Sequence, residues 1–154
     1  KAYYRSFFLS PPACAVQDAS KSYSGETRFP FLLQNLHRYF FYLSILILAF
    51  LWWDTVLAFQ FPTGFGIGLG TVVILINAVL LTLFSLSCNS CRHVCGGYVD
   101  SFHSAPTRYK IWSFISGLNG CHMEYAWVSL IWVALTDLYV RLLSMGVIQD
   151  LRFF

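Results

Sequence analysis

The sequence contains very little charge. Only 11% of its 154 residues are charged, whereas 57% are hydrophobic, and the mean hydropathy is +0.60. A soluble domain usually carries about 25% charged residues. No charged residue occurs between Thr55 and Cys91, a stretch long enough for one full membrane span and its turn. The composition therefore excludes an ordinary soluble domain and predicts a membrane protein.

Other common features are missing as well. The chain starts at Lys1 rather than Met, and no basic segment followed by an apolar one marks a signal peptide. We therefore expect a processed or partial piece of a longer chain. The net charge of +3 is small and scattered, which argues against a nucleic-acid partner. The five cysteines are odd in number and clustered, unlike the disulfide framework of a secreted domain, so reduced thiols on a cytoplasmic face are expected.

Polarity divides the chain into two regions. Residues 1–30 are polar and predict an N-terminal arm or loop, and residues 31–154 predict a transmembrane helical domain. Spans are predicted at about 40–60, 66–87 and 123–146, each long enough to cross a hydrocarbon core of about 30 Å as a helix. The expected fold is all-α, a membrane helical bundle of three transmembrane helices with a short interfacial helix near 111–118.

Alternating glycines open the second predicted span, at Gly64, Gly66, Gly68 and Gly70. A dinucleotide-binding loop would need a preceding strand and an acidic residue about 20 positions later, and both are missing. Small residues that let helices approach closely are the better account.

Basic residues predict the orientation of the spans. Those flanking the spans on one side are Arg38, Arg92, Arg108 and Lys110. The turn at 61–65, on the other side, carries no charge. By the positive-inside rule, the side with the basic residues is expected to be cytoplasmic.

Charged residues also occur within the predicted spans. Asp54 and Asp137 lie at equal depth, about 23 Å from the cytoplasmic ends at 1.5 Å per residue. Arg141 follows Asp137 by one helical turn, on the same face. A charge inside the membrane costs at least about 2.5 kcal/mol, so such groups are usually paired. We therefore predict a structural Asp54–Arg141–Asp137 network.

A dense group of cysteines follows the second span. The stretch 87–97 reads SCNSCRHVCGG and contains three of the five cysteines. Histidines accompany it at the cytoplasmic ends of the predicted spans, namely His37, His93 and His122. Thiols and imidazoles at one membrane depth indicate a metal site assembled across several helices.

Three kinds of site suit these residues. Structural zinc takes a Cys-x-x-Cys pair and two further ligands. Haem b takes two facing histidines, for which His37 and His122 qualify, although the cysteines would then be idle. A Rieske-type [2Fe–2S] cluster takes two thiolates on one iron and two imidazoles on the other, which would use Cys88, Cys91 and two of the histidines.

Several blocks of the sequence together resemble one family. They are SCNSCRH at 87–93 with the glycines at 96–97, LN at 118–119 ahead of His122, YAWVSL at 125–130, TDLYVR at 136–141, LHRY at 36–39 and WDT at 53–55. The family is the membrane-anchor subunit of the succinate dehydrogenases (respiratory complex II) of actinobacteria and relatives. Its anchors are longer, with additional spans, so the resemblance implies that this chain is part of a larger multi-helix anchor.

The resemblance also implies a function in the respiratory chain and the tricarboxylic acid cycle. A flavoprotein carrying FAD would oxidise succinate, and an iron–sulfur subunit with further clusters would carry electrons to the membrane. This anchor would pass them to menaquinone or ubiquinone in the bilayer through an embedded Rieske-type cluster in place of haem.

The resemblance carries ligands onto this sequence by position. Cys88, Cys91, His93 and His122 are the expected metal ligands, with His37 as a close competitor. Cys95 and Cys121 are additional to the family pattern, and either can replace one of these ligands. The family often has His where this chain has Asn89, so that position is not expected to be a ligand.

Quinone binding is expected beside this site. Arg92 would stabilise a reduced quinone electrostatically, and His37 would supply a proton near pH 7. The alternatives are a haem b-binding anchor of another membrane oxidoreductase and a zinc-stabilised membrane scaffold.

Overall fold

The structure is a computed structural model that describes residues 29, 31–62, 64–96 and 102–154. The predicted arm at 1–30 lies outside these residues except for Phe29. The described chain is mostly helical. Its helices are α1 (Phe31–Leu57), α2 (Leu69–Ser87), α3 (Asn89–Gly96), α4 (Pro106–Asn119) and α5 (His122–Ser144). A 3₁₀ turn, Phe102–Ser104, precedes α4, and β1 (Gln60–Phe61) and β2 (Gly64–Phe65) form a small antiparallel hairpin after α1.

Three of the helices are long and apolar enough to cross a membrane. They are Leu36–Leu57 within α1, Leu69–Ser87 in α2 and His122–Ser144 in α5. The expected all-α membrane class is therefore confirmed. The first span begins before the predicted residue 40, because residues 36–39 belong to the same continuous helix.

The described residues form two compact units, of which the first contains 31–44, 85–96 and 102–122. Its buried core consists of Phe41, Cys88, Cys91 and Ile115. Pro106 starts α4, where the missing N–H of proline leaves no intrahelical hydrogen bond unmade. A Cβ added to Gly96 of α3 would lie 2.7 Å from the Trp112 ring of α4, so only glycine allows this approach.

The second unit contains 45–62, 64–84 and 123–154. Indole N–H groups connect its helices: Trp52 Nε1 donates to Thr82 Oγ1 at 2.9 Å, and Trp132 Nε1 donates to the Val73 carbonyl at 3.1 Å. Such bonds satisfy polar groups that would otherwise lie in hydrocarbon. These contacts place indole and hydroxyl groups at helix–helix junctions.

The glycines before α2 contact the segment 147–154 that follows α5. Leu69 N donates to the Leu151 carbonyl at 2.8 Å, and Phe153 N donates to the Ile67 carbonyl at 2.9 Å. Asp150 lies over the start of α2, where its Oδ1 accepts hydrogen bonds from Gly70 N at 2.8 Å and from the Tyr139 hydroxyl at 2.7 Å.

A Cβ at Gly68 would lie only 2.6 Å from Asp150 Oδ2. The glycines therefore admit an extended segment rather than a neighbouring helix. The expectation that these glycines let helices approach closely is therefore corrected. Their neighbour is the segment 147–154, whose backbone forms hydrogen bonds with Ile67 and Leu69.

Candidate metal centre

Three potential ligands converge in the first unit. The ligand atoms of His37, Cys88 and His122 all lie within 4.8 Å of one another. His37 is in the first turns of α1, Cys88 lies between α2 and α3, and His122 is the first residue of α5. The sequence places these residues far apart, and each reaches the group from a helix end. Two imidazoles and a thiol in this arrangement make a potential metal site.

Cys88 is held by the break between α2 and α3. Its N–H donates to the Ser85 carbonyl at 3.2 Å, and its own carbonyl accepts from Arg92 N at 3.2 Å. The Ser90 N–H, in the first turn of α3, donates to Cys88 Sγ at 3.4 Å. Cys88 thus occupies the N-cap position of α3, where the helix dipole favours a negatively charged sulfur.

Cys88 and His37 are in direct contact. His37 Nε2 lies 3.2 Å from Cys88 Sγ. Burial alone would raise the pKa of the Cys88 thiol, but hydrogen bonds from His37 and Ser90 outweigh it and hold that pKa below its ordinary value. A thiolate is the form of cysteine that binds metals. The geometry thus prepares Cys88 for coordination.

His122 is held from its other side by Ser87. Ser87 Oγ and His122 Nδ1 are 2.8 Å apart and share a hydrogen bond. The Asn119 side-chain Nδ2 donates to the Ser87 carbonyl at 2.7 Å. Ser87 is completely buried. Ser87, at the end of α2, therefore contacts both the end of α4 and the start of α5.

Cys91 and Cys95 form a second sulfur pair on one face of α3. Cys91 is buried in the core with Cys88. A hydrogen bond with Cys95, together with burial, raises the pKa of the Cys91 thiol. The same bond lowers the pKa of Cys95 to about 7, against the effect of burial and with the help of the nearby Arg108 cation. The two sulfurs thus share one hydrogen bond, which shifts their pKa values in opposite directions.

The remaining candidate ligands lie elsewhere. Cys121 is exposed, although it precedes His122. The side chain of His93 lies outside the described residues, so its role stays a prediction. Among the described side chains, His37, the competitor to His93, lies beside Cys88 and His122.

Arg92, predicted to bind quinone, contacts α4. Its Nε donates to Ser116 Oγ at 2.9 Å, and its guanidinium lies 4.8 Å from the centre of the Trp112 ring. These contacts stabilise the packing of α3 on α4. The quinone role of Arg92 stays a prediction.

The predicted intramembrane network forms only in part. Arg141 Nε and Asp137 Oδ2 make an ion pair of 2.7 Å within α5, with both side chains exposed. Asp54 is exposed and makes no salt bridge with Arg141 in the described part of the chain. Equal depth sets the height of two residues along their helices but not the direction in which each side chain points. The three-residue network is therefore corrected to a pair.

Sequence reasoning missed three residues around the site. Ser87 and Asn119 hold its helix ends together, and Arg38 is almost fully buried although it is an arginine. The Arg38 guanidinium lies 4.9 Å from the centre of the Tyr39 ring. A polar residue at the last position of an apolar span was the available signal for Ser87.

Comparisons with known proteins identify the family of the chain. Residues 1–146 match the model of the family described as actinobacterial succinate dehydrogenase subunit SdhC. The chain belongs to this family. A match to one family model over nearly the whole sequence confirms the resemblance noted above at the level of the anchor subunit.

This SdhC-family chain is also similar to a chain of a solved structure, the Mycobacterium smegmatis Sdh1 complex in the apo form. The two share 51% sequence identity, with a TM-score of 0.76. The match covers 99% of this chain and 58% of the other, so the chain spans less than two thirds of that relative's length. No curated protein matches the chain.

Proposed function

We propose that this chain is part of the membrane anchor of a succinate:quinone oxidoreductase and relays electrons to quinone through a Rieske-type [2Fe–2S] cluster. Membership of the SdhC family and similarity to the Sdh1 complex support the anchor role. The observation that carries the cluster assignment is the convergence of His37, Cys88 and His122 within 4.8 Å. The partners are the flavoprotein, with its FAD, and an iron–sulfur subunit with further clusters.

The donor chemistry of the site fits such a cluster. Cys88 and Cys91, three positions apart and both buried in one core, would supply the two sulfur ligands, and Cys91 would give up its thiol proton on binding the metal. His37 and His122 supply two imidazoles, so His37 replaces His93 of the sequence prediction. Two thiolates and two imidazoles are the Rieske ligand set. When bound, the cluster supplies transfer of one electron at a time at a potential above that of an all-cysteine cluster.

The residues of this chain protect and orient the site. Phe41 and Ile115 pack with the two thiols and exclude water from the sulfur side. Exclusion of water strengthens electrostatic interactions inside the site. His37, in contrast, is exposed. In this proposal the electron acceptor approaches the site from the side of the His37 imidazole.

The acceptor is menaquinone or ubiquinone dissolved in the bilayer. The three membrane-spanning helices make the chain a multi-pass membrane protein, in keeping with a lipid-soluble substrate. The positive-inside rule favours the cytoplasmic side for the site. His37 acts in this proposal as a ligand, because its Nε2 lies against Cys88 Sγ, and Arg92 remains the candidate cation for the quinone.

A zinc site is the second candidate. Ligand atoms within 4.8 Å of one another suit one tetrahedral ion, and zinc takes two cysteines and two histidines in many structural sites. In that case the chain would be a zinc-stabilised scaffold within the membrane. In the haem b alternative, His37 and His122 would hold the haem iron, and both sulfurs would be unused.

Metal analysis of the purified whole complex tests the proposal. Wild-type complex should contain two irons more than complex with His122→Ala, with no haem absorption and no stoichiometric zinc. Succinate-driven quinone reduction should fall in the variant while succinate oxidation by a soluble dye persists. Zinc in place of the iron supports the scaffold, and a haem band supports the cytochrome. Equal iron content in both complexes would overturn the cluster assignment.

A further inference from the structure

We infer that Ser87 is a positioning residue that selects the metal-binding nitrogen of His122. The inference rests on the proposed function, because it concerns how a ligand of that site is oriented. It concerns a serine outside the ligand set. Three observations carry it: the burial of Ser87, its hydrogen bond to His122, and the support of its carbonyl by Asn119.

Ser87 is the last residue of α2, immediately before Cys88. Its relative exposure is 0%, so water cannot replace its hydrogen bonds. The 2.8 Å distance between Ser87 Oγ and His122 Nδ1 is that of a well-formed hydrogen bond. A buried hydroxyl at this distance holds the imidazole ring in one orientation.

Asn119 fixes Ser87 from the other side. The carbonyl of Ser87 is at the C-terminal end of α2, where carbonyls lack an intrahelical donor. Asn119 Nδ2 supplies that donor at 2.7 Å. The hydroxyl and the carbonyl of one residue are thus tied to α5 and to the end of α4, respectively. Cys88 and His122 are held in register by this junction.

The hydrogen bond decides which nitrogen of His122 binds metal. A neutral imidazole carries its proton on one nitrogen and offers the other as a ligand. When Nδ1 carries the proton and donates it to Ser87 Oγ, coordination falls to Nε2. Metal-binding histidines usually donate their second N–H to such an outer partner, which fixes the tautomer and raises ligand basicity. Ser87 fulfils this role with a hydroxyl oxygen.

Ser87→Ala removes the acceptor and leaves the backbone in place. Loss of an outer-shell partner typically weakens metal binding about 10- to 100-fold. In purified whole complex we expect iron to leave faster in the presence of a chelator and the midpoint potential of the cluster to shift. The nitrogen couplings in the EPR spectrum should change as well, because the ring of His122 is no longer held.

Ser129→Ala is the matched control. Ser129 is also completely buried and lies on the same helix as His122, but its Oγ donates to Ala126 within that helix at 3.1 Å. This variant loses a buried hydroxyl without touching the site. Its spectrum, potential and iron retention should equal those of wild type, whatever its stability.

Asn119→Ala provides a second variant in case Ser87→Ala complex does not assemble. It removes only the hydrogen bond to the Ser87 carbonyl. The midpoint potential should therefore shift in the same direction as in Ser87→Ala, but by less. The inference would be overturned if assembled Ser87→Ala complex had an unchanged EPR spectrum and midpoint potential. If Ser87→Ala complex does not assemble, the same result in Asn119→Ala would overturn it. Absence of a histidine-ligated [2Fe–2S] signal from wild-type complex would instead overturn the cluster assignment of the proposed function.

Discussion

His37 Nε2 and Cys88 Sγ lie 3.2 Å apart, although 51 positions separate the two residues in the sequence. The contact joins the start of the first span to the end of the second. An imidazole facing a buried thiol at this distance either shares its proton or binds a metal together with it. The candidate site depends on this pair more than on the cysteine-rich stretch alone.

Replacing Cys88 should abolish metal binding, whereas replacing Cys121 should not. Cys88→Ser removes a buried sulfur beside His37, and Cys121→Ser removes an exposed one. We expect the first variant to lower iron retention by more than the roughly 100-fold typical of outer-shell partners. Iron content of the assembled complex and the rate of quinone reduction measure the effect. Similar losses in the two variants would place the site elsewhere.

The two histidine candidates can be separated by a pair of alanine variants. His37→Ala should remove the EPR signal of the cluster, because His37 is the histidine that the structure brings beside Cys88 and His122. His93→Ala should retain that signal, since two imidazoles are already provided. Both variants are compared in complex of equal subunit composition. Loss of the signal in His93→Ala alone would restore the ligand set expected from the sequence.

Gly96→Ala should destabilise the packing of α3 on α4. The new Cβ would meet the Trp112 ring at 2.7 Å, and this ring also carries the Arg92 guanidinium. Overpacking of this kind costs about 1–3 kcal/mol. Gly117→Ala is the control on α4: no atom of the described residues lies within 4 Å of the added Cβ, and helix propensity predicts a gain of roughly 0.5–1 kcal/mol. Thermal unfolding of the purified complex should show opposite shifts.

Asp150 should stabilise the start of α2. Its Oδ1 accepts from Gly70 N and from the Tyr139 hydroxyl, so Asp150→Ala removes both bonds. A lost helix cap costs about 0.5–2 kcal/mol. Tyr139→Phe removes only the second bond and should cost about 0.5–1.5 kcal/mol. Thermal unfolding and proteolysis of the segment 147–154 report the effect. Wild-type behaviour of Asp150→Ala in both assays would show that the segment is held by its backbone bonds.

Features that depend only on hydrophobicity or on position along a helix were predictable from the sequence. An uninterrupted apolar run determines where a helix can cross a bilayer, so the three spans followed from hydrophobicity alone. Position along a span also placed His37 and His122 at one level with the cysteines. Such signals depend on the distance along a helix, which the residue number specifies.

Rotation about the helix axis and long-range pairing were not predictable in this way. Asp54 has the same depth as Asp137, yet only Asp137 pairs with Arg141. The glycines before α2 accept the segment 147–154, which no local pattern indicates. Ser87 is one hydroxyl in an apolar run, and its importance depends on His122, 35 positions away. Each of these features requires the folded arrangement of distant residues.

The most direct test is EPR spectroscopy of the reduced whole complex, with nitrogen hyperfine couplings resolved. The account predicts a [2Fe–2S] signal with couplings from two histidine nitrogens, in addition to the signals of the partner subunits. This signal should disappear in His122→Ala and in His37→Ala. A wild-type spectrum that contains only all-cysteine clusters, or one unchanged by both substitutions, would contradict the account.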